Sequence, residues 1–446
     1  MAPFTLQKQM QKRNILRLLP IVICLLVVGG TWLIGHRSTT RLAHVYGLGS
    51  NKQFELGNDS SERVYTDPTA LNFGNQFDTT LQSVVAGDGY TLLLTTDGSV
   101  YGLGTNQDGQ IQPKSKDATF VKPVKIDLGL EQNEHVVQLS AKAHHTLALT
   151  SKNRVLAWGS NHTSQLSSGG PEDRIQIVKI PDNQSVAKVI AGWRHSAALT
   201  KSGRIYAWGG VCNTSPNTSI QEKQTLTSGI GGYFDPVGGS SGTEGDCNQT
   251  LAASFIQSAK PTRIGDDQQQ FMDADLGYGH IVALTNQGDV YTSGCNLFGQ
   301  LGRDSRRIDS STLQFERSDL LSSIPATAIA AGYRDTYVLR DSTVWYLGLD
   351  MDVIASAQQA KNTDEKIYGL EDAKQLKARI KPAELLDSVD SIVGGKDMLA
   401  AYKKDSSLLH IIGRRQWQSG GELQQDVKFP GVITSVSISP NKVLVK

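Results

Sequence analysis

Seven glycines, each closing a short apolar segment, recur along this chain at Gly49, Gly104, Gly159, Gly209, Gly294, Gly348 and Gly413. The steps between them are 55, 55, 50, 85, 54 and 65 residues. A period near 50 with several short strands per unit predicts a β-propeller. One such unit cannot bury its apolar faces alone and must stack on neighbours around a ring. Seven closing glycines predict seven blades.

Within a unit the order is a small-residue turn, an apolar strand, a polar turn, a second apolar strand and the closing glycine. Four copies are clear, from Val84, Val137, Val189 and Ala274; two are degenerate, from Ile329 and Ile392. The third copy reads VIAGWRHSAALTKSGRIYAWGG. Its strands are Ala197–Leu199 and Ile205–Trp208, joined by the turn Lys201–Arg204. Gly98, Gly203 and Gly288 take matching turn positions, where a positive φ is cheap only for glycine. The repeats begin midway, with HVYGLGSN at His44–Asn51, and end with the missing first half, VITSVSISPNKVLVK, at Val432–Lys446. C-terminal strands should therefore pair with N-terminal strands in one shared blade, which removes exposed edges and ties the ring shut. The expected fold is an all-β seven-bladed propeller over residues 44–446.

Ahead of it lie a basic tail (1–17), an apolar run (18–35) and a linker (36–43). The run LLPIVICLLVVGGTWLIG has 18 uncharged residues. As a helix it spans about 27 Å, close to the roughly 30 Å hydrocarbon core. Trp32 suits an interface, and Pro20 falls in the first turn, where a missing N–H is harmless. The expectation is one retained transmembrane helix. The competing reading is a cleaved signal peptide, against which stand the length of the run and the lack of a small-x-small cleavage site. Lys8, Lys12, Arg13, Arg17, Arg37 and Arg41 precede the first acid, Glu55. That charge pattern suits a short inside tail with the propeller across a secretory membrane, and equally a mitochondrial leader. Of 44 basic and 43 acidic residues, 38 and 43 remain beyond this segment, so the folded part is mildly acidic. Charge alone draws it to no phosphate backbone, and no nucleic-acid partner is expected.

The segments IAGWRHSAALT (Ile190–Thr200) and GCNLFGQLG (Gly294–Gly302), with GTNQDGQIQ at Gly104, GSNKQFELG at Gly49 and GSNHTSQL at Gly159, resemble the repeats of the regulator of chromosome condensation family of seven-bladed propellers. The resemblance covers roughly residues 43–446. WD and kelch propellers fit less well: the Trp-Asp dipeptide is absent and the glycine–aromatic order differs from kelch. The family's founding member is an exchange factor for a nuclear GTPase that sits on chromatin through a basic tail without counterpart here. Other members are mitochondrial, among them a fungal inner-membrane branch tied to respiratory complex III assembly, which a single span plus a degenerate propeller most resembles. The resemblance therefore implies a membrane-tethered, non-catalytic assembly scaffold at the mitochondrial inner membrane, with a membrane complex as partner. The alternative is a guanine-nucleotide exchange factor for a small GTPase, although no exchange-factor residue maps onto this sequence.

Two insertions stand out. The 85-residue step holds Cys212–Gly265, too rich in Gly, Ser, Thr and Asn for a core, and expected to be a long loop that carries partner contacts or is merely tolerated. Asp350–Asp390 contains EDAKQLKARIKPAELLDSV, which suggests a helix broken near Pro382. Signals for chemistry are poor. Gly238–Gly242 fits G-x-S-x-G but lacks the strand–turn–helix context that makes the serine a nucleophile. His144, His145, His195 and His280 take the same or adjacent repeat positions, which puts them on different blades, as structural hydrogen-bonding residues rather than metal ligands. Cys212 and Cys247 flank the long loop. In an oxidising space they would pair and leave Cys295 odd, with Cys24 in the span; otherwise they stay free thiols. Sequons at Asn58, Asn161, Asn183, Asn213, Asn217 and Asn248 keep a luminal, glycosylated propeller open as an alternative. No cofactor, metal site or catalytic constellation is expected.

Overall fold

The computed structural model describes residues 45–57, 63–77, 80–167, 174–210, 258–294, 300–302, 315–318, 325–333, 335–348, 381–383, 389–396, 398–413, 424–440 and 442–446. The expected span 18–35, all four cysteines and the Gly238–Gly242 motif lie outside them. Among the described residues no helix is long and apolar enough to cross a membrane.

Among the described residues, twenty-eight strands form seven four-stranded antiparallel sheets. Blade 1 is Val436–Ser439, Lys442–Val445, Tyr46–Ser50 and Val64–Ala70, in order from the axis outward. Blade 2 is Leu81–Gly87, Tyr90–Thr95, Val100–Thr105 and Thr119–Lys125. Blade 3 is Val136–Ala141, His145–Thr150, Val155–Gly159 and Gln176–Val178. Blade 4 is Val186–Ala191, His195–Thr200, Ile205–Gly209 and Ser258–Ile264. Blade 5 is Phe271–Leu276, His280–Thr285, Val290–Gly294 and Glu316–Arg317. Blade 6 is Ala328–Ala331, Asp335–Arg340, Thr343–Gly348 and Lys381–Ala383. Blade 7 is Ser391–Gly394, Met398–Tyr402, Leu408–Gly413 and Gln424–Lys428. Each inner strand touches the inner strand of the next blade, all the way round. Blade 1 joins the two ends of the chain, with Tyr46↔Val445, Gly47↔Leu444, Leu48↔Val443 and Gly49↔Lys442 in register.

Position in the blade explains the composition of each strand. Second strands such as YTLLLT, HTLALT, HSAALT and HIVALT are buried at all six positions. They are flanked by strands on both edges and by blades on both faces, so they read as continuous apolar runs rather than alternating ones. Outer strands have one free edge, and four of them carry a proline: Pro68, Pro123, Pro261 and Pro382. A proline there loses no ladder hydrogen bond and blocks pairing with another chain.

The core is a set of seams between blades. One seam packs Ile205, Ala207 and Ile264 of blade 4 on Phe271, Leu276 and Ala283 of blade 5. Another packs Leu92, Leu94 and Val100 of blade 2 on Leu139, Ala148 and Trp158 of blade 3. The closing seam packs Met398, Leu409 and Ile411 of blade 7 on Ile438, Val443 and Leu48 of blade 1.

Both insertions end in propeller strands. Ser258–Ile264 is the outer strand of blade 4. Within 350–390, Lys381–Ala383 pairs with Val344–Tyr346 as the outer strand of blade 6. Pro382 therefore stands in an outer strand, and the residues expected to form the helix before it lie outside the described set. The three-residue strand carries no periodicity of its own, and the pairing that makes it a strand comes from a segment over thirty residues earlier. Residues 351–380 lie outside the described set.

Candidate functional site

The second strand of every blade begins opposite the closing glycine of its third strand. The pairs are Lys442↔Gly49, Tyr90↔Gly104, His145↔Gly159, His195↔Gly209, His280↔Gly294, Asp335↔Gly348 and Met398↔Gly413. All seven glycines have φ between 98° and 132°. A Cβ on Gly104 would lie 2.3 Å from the Gly89 carbonyl oxygen, and one on Gly159 2.5 Å from that of His144. Glycine is thus required by conformation and by space together. This geometry puts the turn from inner to second strand and the connection from third to outer strand at the same end of each blade, on one face of the ring.

Opposite Gly104, Gly159 and Gly294 the residue reaches toward the next blade. Tyr90 Oη donates to the His145 carbonyl (3.0 Å) and shares a hydrogen bond with Thr146 Oγ1 (3.0 Å). His145 Nε2 meets Ser196 Oγ at 2.9 Å, and His280 Nε2 meets Thr336 Oγ1 at 3.1 Å. In the blade after His195 the corresponding residue is Ile281, which has no hydroxyl. Burial pushes His145 and His195 down to about 3 and His280 down to about 4, so these imidazoles are neutral at physiological pH. Expected in the sequence as hydrogen-bonding residues on separate blades, they stand in blades 3, 4 and 5.

The loops after Gly49, Gly104 and Gly159 add a second clasp. Asn51, Asn106 and Asn161 are buried and use Oδ1 to accept the N–H of Leu56, Ile111 and Leu166. The shaped loop aims carbonyls at the following blade. Gln110 O accepts from Trp158 Nε1 (2.7 Å). Gln165 O accepts from Trp208 Nε1 (2.8 Å) and Ser196 Oγ (2.8 Å). Gln300 O accepts from Thr336 Oγ1 (2.7 Å). Sequence reasoning missed these partners. The recurring G-x-N and Q-L or Q-I of the loops was the available signal.

Around the axis on this face, the turns of blades 4 to 7 bring together an aromatic cluster. Trp193 meets Tyr333 edge-on at 4.7 Å between centroids, and Tyr278 lies 4.4 Å from Tyr333. The Tyr278 N–H donates to the Tyr333 carbonyl at 3.1 Å. Arg194 lies 5.4 Å from the centre of the Tyr278 ring, and Lys396 Nζ lies 5.6 Å from that of Tyr333. Beneath the two tyrosines, Lys142 of blade 3 crosses to blades 5 and 6. Its buried ammonium donates to the carbonyls of Leu276 and Ala331, both at 2.8 Å, and pairs with Asp275 at 3.3 Å. Leu276 and Ala331 each lie two residues before a tyrosine of the cluster, so one cation ties both turns. On the other side of the axis, His144 stands between Asp88 (3.7 Å) and Asp108 (3.5 Å).

Among the described residues no three His, Cys, Asp or Glu side chains are grouped to hold a metal ion. What the face offers is recognition chemistry: aromatic planes, cations held on those planes, and a separate acidic sector. The strands that precede the two long connections end on this face as well, at Gly209 and Gly348.

Fold and face define a seven-bladed β-propeller closed across its termini, with an aromatic cluster at one axial mouth. Two family models, both described as the regulator of chromosome condensation repeat, match the chain. One covers residues 82–110, 136–165, 186–215 and 273–300, and the other covers 152–199. These segments are similar to the repeat of that family. The chain is similar to the ultraviolet-B receptor UVR8 of Arabidopsis thaliana, 32% identical over 143 residues, or 31% of each protein. It spans less than half the length of the curated relatives it matches. Human WBSCR16 shares the fold at TM-score 0.63 and 18% identity, over 90% of this chain and 99% of that one. Prp20p of Saccharomyces cerevisiae shares it at 0.62 and 19%, over 92% of each chain.

Proposed function

We propose that this protein is a non-catalytic propeller that binds a protein partner through the face bearing Trp193, Tyr278 and Tyr333. The observation that carries this reading is the gathering on one face of the aromatic mouth and the departure points of both long connections. The buried histidines nearby are spent on inter-blade hydrogen bonds and are held neutral. In the fuller form of the proposal, residues 18–35 anchor the chain in the mitochondrial inner membrane, the short linker keeps the ring beside the bilayer, and the partner is a membrane complex, respiratory complex III during its assembly. The uncharged 18-residue run and the acid-free basic leader support that form.

Fractionation with carbonate extraction, followed by crosslinking and mass spectrometry, tests it. Retention in mitochondrial membranes with crosslinks from this face to complex III subunits is the expected result. Release into the carbonate supernatant, or a mobility shift with N-glycosidase, would overturn the tether or the compartment.

The exchange-factor reading draws on Prp20p, which shares the fold over 92% of the chain and whose binding to Gsp1p and histones has been described. Acceleration of nucleotide release from a small GTPase by the purified chain would favour it; a stable complex without acceleration would favour the scaffold.

A further inference from the structure

We propose that the axial mouth on blades 4 to 7 docks a short acidic segment of a protein partner, with apolar or aromatic side chains between its carboxylates. This rests on the scaffold reading and names the chemistry of the partner.

Three features of the mouth carry the argument. First, its cations are held on rings. Lys396 lies over Tyr333, and among the described residues no carboxylate pairs with it. A lysine kept on an aromatic face is already partly desolvated and positioned, which strengthens its pull on an incoming anion. Second, the half-buried rings of Trp193, Tyr278 and Tyr333 form one continuous apolar surface from three blades, which suits the side chains between carboxylates. Third, the platform is braced from below by Lys142, so its geometry is set before the partner arrives.

Charge restricts the occupant to something short. Beyond the N-terminal segment the chain carries 38 basic and 43 acidic residues, and Asp88 and Asp108 stand across the axis on the same face. An extended polyanion would meet that acidic sector as well as the cationic one, whereas a short acidic peptide fits inside the cationic sector alone.

The test is fluorescence anisotropy with the full-length protein in neutral detergent and a short labelled peptide of alternating Glu and Phe. Saturable binding is expected, weakened by salt and absent for the matched Lys and Phe peptide. Lys396→Ala should weaken it about tenfold with no change in melting temperature. Lys201→Ala, on the hairpin turn of the opposite face, should bind as the parent does. Trp193→Phe trims the aromatic platform without removing it, and should weaken binding by a smaller factor. Equal losses in Lys396→Ala and Lys201→Ala would overturn the proposal in favour of diffuse attraction. Competition by duplex DNA at lower concentration than by peptide would overturn it in favour of a nucleic-acid surface, and no saturable binding would overturn it outright. Crosslinks from this face to a protein partner would leave the scaffold reading standing in any of these cases.

Discussion

Lys442 lies directly opposite Gly49 in blade 1, although one comes from the last strand of the chain and the other from the first. Its ammonium is fully buried and donates into blade 2, to the carbonyls of Gly87 (2.7 Å) and Tyr90 (2.8 Å). Burial pushes it down to about 8, against the opposing influence of Glu55 and Asp88. Blade 1 departs from blades 2 to 5 twice: Glu55 stands where other loops have Gln110, Gln165 and Gln300, and Lys442 stands where those blades have Tyr90 or histidine. The two departures are of opposite charge and come within electrostatic range of each other only when the ring closes. Lys442→Met should cost about 3 kcal/mol, by removing the shared donor of two buried carbonyls. Adding Glu55→Gln to that variant should restore part of the loss, read as a positive coupling of about 1 kcal/mol in a urea-unfolding cycle. Strict additivity would show that the two charges do not interact.

The closing glycines should be intolerant where space is denied, and a glycine in open space should not be. Gly104→Ala and Gly159→Ala place a methyl against backbone at positive φ and should each lose about 2–4 kcal/mol. Gly431 has nothing within 4 Å of an added Cβ and no positive φ, so Gly431→Ala should be neutral or slightly stabilising. Thermal melts of the three variants decide it.

The three buried histidines predict an acid-labile ring. Their folded values of about 3, 3 and 4 lie below the unfolded value of 6.5. The unfolded chain therefore binds more protons between those limits, and stability rises with pH through the window. The contribution is complete above 6.5 and is lost as pH falls toward 3–4, at about 1.4 kcal/mol per pH unit for each histidine. His280→Gln should reduce the slope of stability against pH between 4 and 6 by that amount. An unchanged slope would mean that His280 is already charged in the fold.

Lys142→Met should loosen the axial mouth more than the ring. The carbonyls of Leu276 and Ala331 and the carboxylate of Asp275 lose one shared donor, at about 2–3 kcal/mol. The near-ultraviolet circular dichroism from the Trp193, Tyr278 and Tyr333 contacts should fall while the far-ultraviolet signal stays. Preserved near-ultraviolet signal would show that the turns hold themselves.

The sequons divide by burial. Asn161 is 1% exposed and its Oδ1 accepts the Leu166 N–H, so it takes no glycan in the folded protein. Asn183, in an exposed turn, is open. Expressed through a secretory pathway, the protein should show occupancy at Asn183 and none at Asn161 by glycopeptide mass spectrometry. A glycan on Asn161 would mean that modification precedes folding of blade 3.

What was legible in the sequence was local and periodic. The hairpin Lys201–Arg204, the turn glycines and the seven closing glycines follow from positive φ and from strand polarity, which a residue expresses with its immediate neighbours. The missing half-repeat at Val432–Lys446 announced closure because a period can be counted. The outer strand at Lys381–Ala383 was hidden because three residues have no period and become a strand only by pairing with Val344–Tyr346.

By itself the sequence determined the number of blades, the shared blade and the place of each hydrogen-bonding histidine in its repeat, since these repeat along one dimension. Only the tertiary structure decided that Lys142 reaches past its neighbouring blade to Leu276 and Ala331, and that Lys442 enters blade 2. It also decided that Trp193, Tyr278 and Tyr333 become one surface. Those contacts depend on the curvature of the closed ring, which brings distant turns together around an axis that no residue spacing encodes.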